Sequence, residues 1–193
     1  MGKTNIDSNP FAILQSRLEG VRLLLGDMSE KDAEKLIRDI LKARRIFVTG
    51  KGRSGLVAEC CAMRMMQMGQ DVHVPGEATC PRIKKGDLMI AISCSGGTMT
   101  TIQLAKISKK AGAKVTVLTA VADSELSRHA SHIIEFPVTE RNVRKSYRYV
   151  LGPHNNTMFE EVVLLYFDAL IYSILKRQGI PKKMISQRHT NLE

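Results

Sequence analysis

The sequence predicts an α/β fold in which helices cover both faces of a parallel β-sheet. Short apolar runs alternate along the chain with segments of helical character, which is the pattern of βαβ units. Runs of this kind are expected for strands that are buried on both faces. Two of the helices follow loops rich in glycine and serine, at the end of the sheet where α/β proteins bind ligands. The five predicted strands are 46–49, 72–74, 88–93, 114–119 and 133–136.

Two helices are predicted before the first strand. Pro10 follows a Ser8-Asn9 cap, and apolar residues then recur at spacings of three and four as a narrow stripe. A second helix starts at Ser29, with Asp32 three residues further on, as in a capping box. The stripe of the first helix consists of Phe11, Leu14, Leu18, Val21 and Leu25.

Three further helices are predicted, over 54–68, over 98–111 and from about residue 157. Between the last two, residues 137–156 are polar and irregular and form a candidate active-site loop. The last helix is apolar over more than one face, so it must be buried. Together with the stripe of the first helix, this favours packing against another subunit over burial within one chain.

Length and composition fit a single soluble domain. The chain has 193 residues, of which 44% are hydrophobic and 25% charged, enough to bury a substantial core. We predict one domain over 1–193, with N-terminal helices at 1–45, a parallel core at 46–136 and a C-terminal helix and tail at 157–193. The longest apolar stretch, 162–175, is interrupted by Asp168, and the N-terminus carries no signal-peptide run. We therefore expect a cytoplasmic location and no association with a membrane.

The formal net charge of +10 favours an anionic partner. The chain has no Trp and no recognisable nucleic-acid-binding motif, so we expect no nucleic-acid partner. Steering of small anionic substrates towards a positive cleft is a second explanation, and much of the charge could simply belong to the solvated surface. The four cysteines show no zinc-ligand spacing, so no metal is expected.

The loop after the first predicted strand, residues 50–55 (loop 1), is suited to binding an anion. Its glycines allow backbone amides to approach an anion closely, and the following helix dipole favours negative charge. Ser54 adds a hydroxyl donor, and Arg53 adds a positive charge. The spacing Gly-x-Gly-x-x-Gly also matches the dinucleotide fingerprint, with Glu77 at the distance of a ribose-binding acid. Loop 1 alone therefore leaves a nicotinamide cofactor open.

The loop after the third predicted strand, residues 93–98 (loop 2), favours a phosphate monoester. Two serines, two glycines and a threonine stand directly before a helix, and they supply a compact set of hydroxyl and amide donors. Simple capping of that helix would explain Thr98 but not the whole cluster. A nucleophilic role for Cys94 lacks an adjacent base.

With both loops in view, the chain resembles the sugar isomerase (SIS) domain family, and within it the 6-phospho-3-hexuloisomerase branch. The likeness extends over nearly the whole chain. The segments that carry it are loops 1 and 2, Gly76-Glu77 with Pro81, the strand Gly86–Ser93, Thr157-Met158-Phe159-Glu160, and Arg188-His189-Thr190-Asn191-Leu192-Glu193.

The resemblance implies a three-layer αβα sandwich with a five-stranded parallel, flavodoxin-like sheet, assembled as a homodimer or homotetramer. It also implies interconversion of D-arabino-hex-3-ulose 6-phosphate and fructose 6-phosphate without metal or organic cofactor. In that case Glu160 is the base, and His189 of a neighbouring subunit shuttles a proton or opens the sugar ring. The substrate-binding residues implied are Gly52, Arg53, Ser54, Glu77, Ser93, Cys94, Ser95 and Thr98, with the phosphate on Ser54, Ser93, Ser95 and Thr98.

The residues themselves leave alternatives open. Thr157-x-x-Glu160 is also a capping box for the last helix, and Glu77 could simply pair with a nearby cation. His154 is a second candidate for the proton shuttle, while His129 and His132 are expected at the surface. A non-catalytic sugar-phosphate sensor on the same domain is the alternative function from a different class.

Overall fold

A computed structural model describes residues 9–137 and 157–192. The irregular segment predicted over 137–156, with His154, lies almost entirely outside the described residues. The helices and strands follow the predicted order. The helices are α1 (Pro10–Gly26), α2 (Glu30–Lys42), α3 (Arg53–Met68), α4 (Met99–Lys110), α5 (Thr157–Gln178) and α6 (Lys182–Gln187), with a short 3-10 helix at Leu126–His129. The strands are β1 (Ile46–Thr49), β2 (Val72–His73), β3 (Leu88–Ile92), β4 (Lys114–Thr119) and β5 (His132–Glu135).

The five strands form one parallel sheet in the order β2-β1-β3-β4-β5. β1 pairs with β2 on one side and with β3 on the other, and β4 continues the sheet to β5. This order is that of a flavodoxin-like doubly wound sheet, and it confirms the predicted α/β class. The strand order reverses direction at β1 and β3, so the carboxyl ends of these two strands mark the edge where a ligand is expected.

Alternate side chains of the strands face two separate cores. On one face, Ile46, Val48 and Ile90 pack with α1, α2, α3 and α5. On the other face, Phe47 and Met89 pack with α4 and the 3-10 helix. β1 and β3 are therefore buried on both faces along their whole length, which is why they are largely apolar rather than alternating.

Helix α1 leaves most of its apolar stripe exposed. Val21 is buried, but Phe11 is 75% exposed, Leu14 51% and Leu18 57%. Contiguous apolar surface of this kind commonly marks an interaction site.

Within the described residues, no helix is both long enough and apolar enough to cross a membrane.

The expectation of a surface position is wrong for His132. Its side chain is buried at the start of β5, and Nε2 lies 3.0 Å from Oδ1 of Asp32. Asp32 comes from the first turn of α2, where its amide also donates to the Ser29 cap. The burial of His132 thus depends on a partner 100 residues away in the sequence.

Candidate functional site

Loops 1 and 2 lie side by side at the carboxyl edge of the sheet. β1 and β3 are hydrogen-bonded neighbours, with Thr49 opposite Ala91, and each loop leaves the end of its strand. α3 begins within loop 1, at Arg53, and α4 begins directly after loop 2, at Met99, so the positive ends of both helix dipoles lie at the same edge. The site predicted from two separate loops is therefore one continuous surface.

The two helices at this edge begin without side-chain caps, in contrast to α1 and α2. Asn9 caps α1 and Ser29 caps α2 through side-chain oxygens. Gly52 has no side chain to cap α3, and the hydroxyl of Thr98 makes no capping hydrogen bond to α4. The first-turn amides of α3 and α4 are thus donors suited to an anion.

Loop 1 is a tight turn that only glycine allows. Gly52 has a φ of 58°, in the left-handed region. A Cβ on Gly50 would lie 2.5 Å from the carbonyl oxygen of Ser54, so the chain folds directly back on the first turn of α3. This turn places Ser54, which is buried, beneath the loop, and Arg53, whose side chain is 59% exposed, at its rim.

Loop 2 presents its hydroxyls to one another and to solvent. Ser93 is buried, and its Oγ lies 3.0 Å from Oγ1 of Thr98. The exposed Ser95 accepts a hydrogen bond from the amide of Gly97, at 3.2 Å, through its Oγ. Because Ser95 is the acceptor there, its own hydroxyl proton remains for another acceptor. The loop therefore combines polar side chains with the uncapped start of α4.

Sequence reasoning missed two residues that pack against loop 2, Thr119 and Ser124. Thr119, at the end of β4, donates its hydroxyl to the carbonyl of Cys94 at 3.1 Å. Gly96 has a φ of 62°, and a Cβ there would lie 2.1 Å from Oγ of Ser124. The signal available in the sequence was weak, because only the pairing of β4 with β3 brings Thr119 and Ser124 to this loop.

Glu160 is a buried carboxylate that α5 directs at loop 1. Only 4% of the residue is exposed. Ser54 Oγ donates to its Oε1 at 2.9 Å, and Arg53 Nε lies 3.8 Å from its Oε2. Among the described residues, Oε2 has no hydrogen-bond partner. The neighbouring Phe159 packs edge-on against Phe136, which fixes the start of α5 beneath the site.

The thiol of Cys94 interacts electrostatically with the carboxylate of Glu160. Burial, and to a smaller extent the negative charge of Glu160, raises the pKa of the Cys94 thiol to about 12. The thiolate is the nucleophilic form of cysteine, so at neutral pH this side chain is an inert thiol. Loop 1, loop 2 and Glu160 thus lie together, and Cys94 lies beside them.

Among the described residues, neither Glu77 nor His189 is hydrogen-bonded to this group. Glu77 is exposed in the turn after β2, and its carbonyl accepts a hydrogen bond from the amide of Cys80. Arg188 donates to the carbonyl of Met68 at 2.7 Å, which places the exposed His189 at the C-terminal end of α3. Ser54 and Glu160 meet at the other end of that helix, about 20 Å away at 1.5 Å per residue. Within one chain, His189 and Glu160 are therefore separated by the length of α3.

The comparisons with known proteins agree with this architecture. A family model described as the SIS domain matches residues 39–150. The 3-hexulose-6-phosphate isomerase of Bacillus subtilis is 34% identical over 166 residues, covering 86% of this chain and 89% of that protein. The 3-hexulose-6-phosphate isomerase of Mycobacterium gastri is 35% identical over 158 residues, covering 82% and 78%.

A solved structure extends the likeness to three dimensions. It is that of a hypothetical protein from Methanococcus jannaschii, for which a molecular function of 3-hexulose-6-phosphate isomerase was inferred. It is 31% identical, with a TM-score of 0.79 over 94% of this chain and 97% of that chain. By family model, sequence relatives and fold, the chain belongs to the SIS domain family.

Proposed function

We propose that this chain is a sugar-phosphate isomerase that interconverts D-arabino-hex-3-ulose 6-phosphate and fructose 6-phosphate. The observation that carries the proposal is Glu160, a buried carboxylate with an unpartnered oxygen, set beside two loops suited to a phosphate. The relatives named 3-hexulose-6-phosphate isomerase support the choice of substrate.

Loop 2 is the proposed anchor for the phosphate. Ser93, Ser95 and Thr98 supply hydroxyl donors, and the uncapped start of α4 supplies amides and a favourable dipole. Arg53 adds a cation at the rim that offsets the charge of Glu160 as well as that of the phosphate. Holding a part of the substrate that does not react fixes the orientation of the carbons that do.

The reaction moves a carbonyl between carbons 2 and 3 of the sugar. From the 3-ketose, Glu160 removes the proton on carbon 2, and the electrons form an enediolate across carbons 2 and 3. The protonated Glu160 then gives a proton to carbon 3 as the carbonyl forms at carbon 2, and one hydroxyl proton passes from oxygen 2 to oxygen 3. A positioned acid–base group contributes about a hundred- to ten-thousand-fold to such a step.

The proton transfer between the oxygens is assigned to His189 of a second copy of the chain. His189 lies at the far end of α3 from Glu160 in its own chain, so it can reach the site only from another subunit. The exposed apolar residues of α1 support a homo-oligomer, since they would otherwise face water. Glu77, exposed at the neighbouring strand end, is proposed to bind a sugar hydroxyl, and Gly52 and Cys94 to line the site.

Incubation of the protein with fructose 6-phosphate tests the proposal, with the 3-ketose followed by carbon NMR. We expect an equilibrium mixture of the two ketoses to form without added metal or nucleotide. Binding of the sugar phosphate without turnover of any hexulose or pentose phosphate would indicate a sensor and would contradict the proposal.

A further inference from the structure

The hydroxyl of Ser54 points away from the role that its loop suggests. The Gly-x-Gly-x-x-Gly turn before it is typical of loops that bind phosphate, and a serine there is expected to donate to the anion. In this structure the Oγ of Ser54 donates instead to Oε1 of Glu160, at 2.9 Å, and both residues are buried. A serine hydroxyl has one proton to donate, so in this arrangement none is left for a phosphate.

We propose that Ser54 is a positioning residue for Glu160, which fixes Oε1 so that Oε2 is the oxygen that exchanges the proton with the sugar. The inference rests on the proposed function and assigns different tasks to the two oxygens of its base. Oε1 accepts a hydrogen bond from the hydroxyl of Ser54. A hydrogen bond with a carboxylate acceptor is stronger than one between two neutral groups. Oε2 has no hydrogen-bond partner among the described residues, so its lone pairs remain for a substrate proton.

The backbone of loop 1 explains why Ser54 is so well placed for this task. The carbonyl of Ser54 lies 2.5 Å from where a Cβ on Gly50 would be, so the loop closes without room for a side chain. Ser54 is in the first turn of α3, and α3 packs along α5, which carries Glu160. The tight turn of loop 1 and the packing of α3 against α5 together bring the serine to the carboxylate.

Arg53 complements Ser54 without competing for the same oxygen. Its Nε lies 3.8 Å from Oε2, beyond hydrogen-bond distance, and its side chain is 59% exposed. A cation at this distance offsets the charge of the carboxylate without taking up a lone pair of Oε2. The two neighbours in the sequence thus act on different oxygens of one carboxylate.

The test compares S54A with S95A, which removes a proposed phosphate ligand from loop 2. For S54A we expect kcat to fall about ten- to a hundredfold, because a small misplacement of a reacting group costs up to about that much. The inhibition constant of inorganic phosphate should stay within about twofold of wild type, since the phosphate donors of loop 2 are intact.

For S95A we expect the opposite pattern: weaker inhibition by phosphate and a higher KM. If S54A weakens phosphate inhibition as much as S95A does, Ser54 is a phosphate ligand and the inference is wrong. The proposed function would survive that result, because the wild type would still turn over the sugar. If the wild type itself has no turnover, both the proposed function and this inference are wrong. Thermal unfolding of each variant checks that the fold is retained.

Discussion

Two buried carboxylates lie at opposite ends of the sheet, and they are paired very differently. Asp87, at the amino end of β3, accepts hydrogen bonds from Arg45 at 3.0 Å and from the amide of Lys84 at 2.8 Å, and Arg44 lies 2.9 Å away. Glu160, at the carboxyl end, has one hydrogen bond from Ser54 and a cation at 3.8 Å. Both carboxylates are almost inaccessible to water.

The difference separates a structural role from a chemical one. Burying a charge is costly unless hydrogen bonds and counter-ions compensate for it, and Asp87 has both. One oxygen of Glu160 has no hydrogen bond among the described residues. A buried oxygen without a partner lowers the stability of the fold, so its presence indicates a role other than stabilisation. Changes at Glu160 should therefore affect turnover, and changes at Asp87 should affect stability.

The largest expected effect is the loss of turnover in E160Q. An amide cannot accept the substrate proton, so we expect kcat to fall about a hundred- to ten-thousand-fold. The amide oxygen can still accept the hydrogen bond from Ser54, so sugar-phosphate binding and thermal stability should change little. The matched control is E161Q, since Glu161 is the next residue and pairs with Arg17 of α1 instead. If E160Q instead lowers Tm and loses sugar-phosphate binding together with turnover, the capping role is favoured over the catalytic one.

At the other end of the sheet, D87N should lose stability and keep its kcat. Removing one member of a buried ion pair costs about 3 kcal/mol, because the arginines lose their partner. For a chain of this size that lowers Tm by about 6–12 °C. D168N is the control, since Asp168 and Arg64 are 3.7 Å apart and each is about half exposed, which makes the pair worth little. A drop in kcat measured well below Tm would contradict the division between the two ends.

The pH dependence of stability sharpens the same comparison. Burial by itself would raise the pKa of Asp87, but the hydrogen bonds from Arg45 and Lys84 and the charges of Arg45 and Arg44 outweigh it, so the pKa lies below its usual value. The stabilisation is then complete above the unfolded-state pKa of about 3.9 and is lost as the pH falls through the folded-state value. We expect the difference in unfolding free energy between wild type and D87N to be constant near neutral pH and to shrink below about pH 4. Urea unfolding at a series of pH values measures it.

The smallest effect concerns the thiol beside Glu160. Because burial and the charge of Glu160 raise the pKa of Cys94 to about 12, its alkylation at pH 8 should be much slower than that of the exposed Cys60. E160Q should speed the labelling of Cys94 modestly, since it removes the charge but not the burial. Peptide mass spectrometry after timed exposure to iodoacetamide separates the sites. Equal labelling of Cys94 and Cys60 would place Cys94 outside the site.

Much of the fold could be predicted because its central strands are buried on both faces. The strands β1 and β4 begin and end where the apolar runs do, and α3 begins one residue before its prediction. The five-stranded parallel sheet follows from the alternation of strands and helices together with the family resemblance. The bounds of the other strands differ by one residue: β2 and β3 are each one residue shorter than predicted, and β5 is shifted by one residue.

Features that depend on distant partners could not be predicted. His132 is buried because Asp32 of α2 reaches it, and nothing near His132 in the sequence signals that pairing. The loops of the site could be found because their glycines and serines are local, but the direction of the Ser54 hydroxyl is set by Glu160, 106 residues away. The roles of Glu160, His189 and the phosphate-binding side chains remain predictions for experiment.

Proton NMR of fructose 6-phosphate in deuterated water tests the central claim most directly, because it reports removal of the carbon-bound proton by Glu160. With wild-type protein, we predict that the signal of the proton on carbon 3 disappears while the 3-ketose forms, and that it persists with E160Q. Persistence of that signal with wild-type protein saturated by the sugar, or its loss at the wild-type rate with E160Q, would contradict the account.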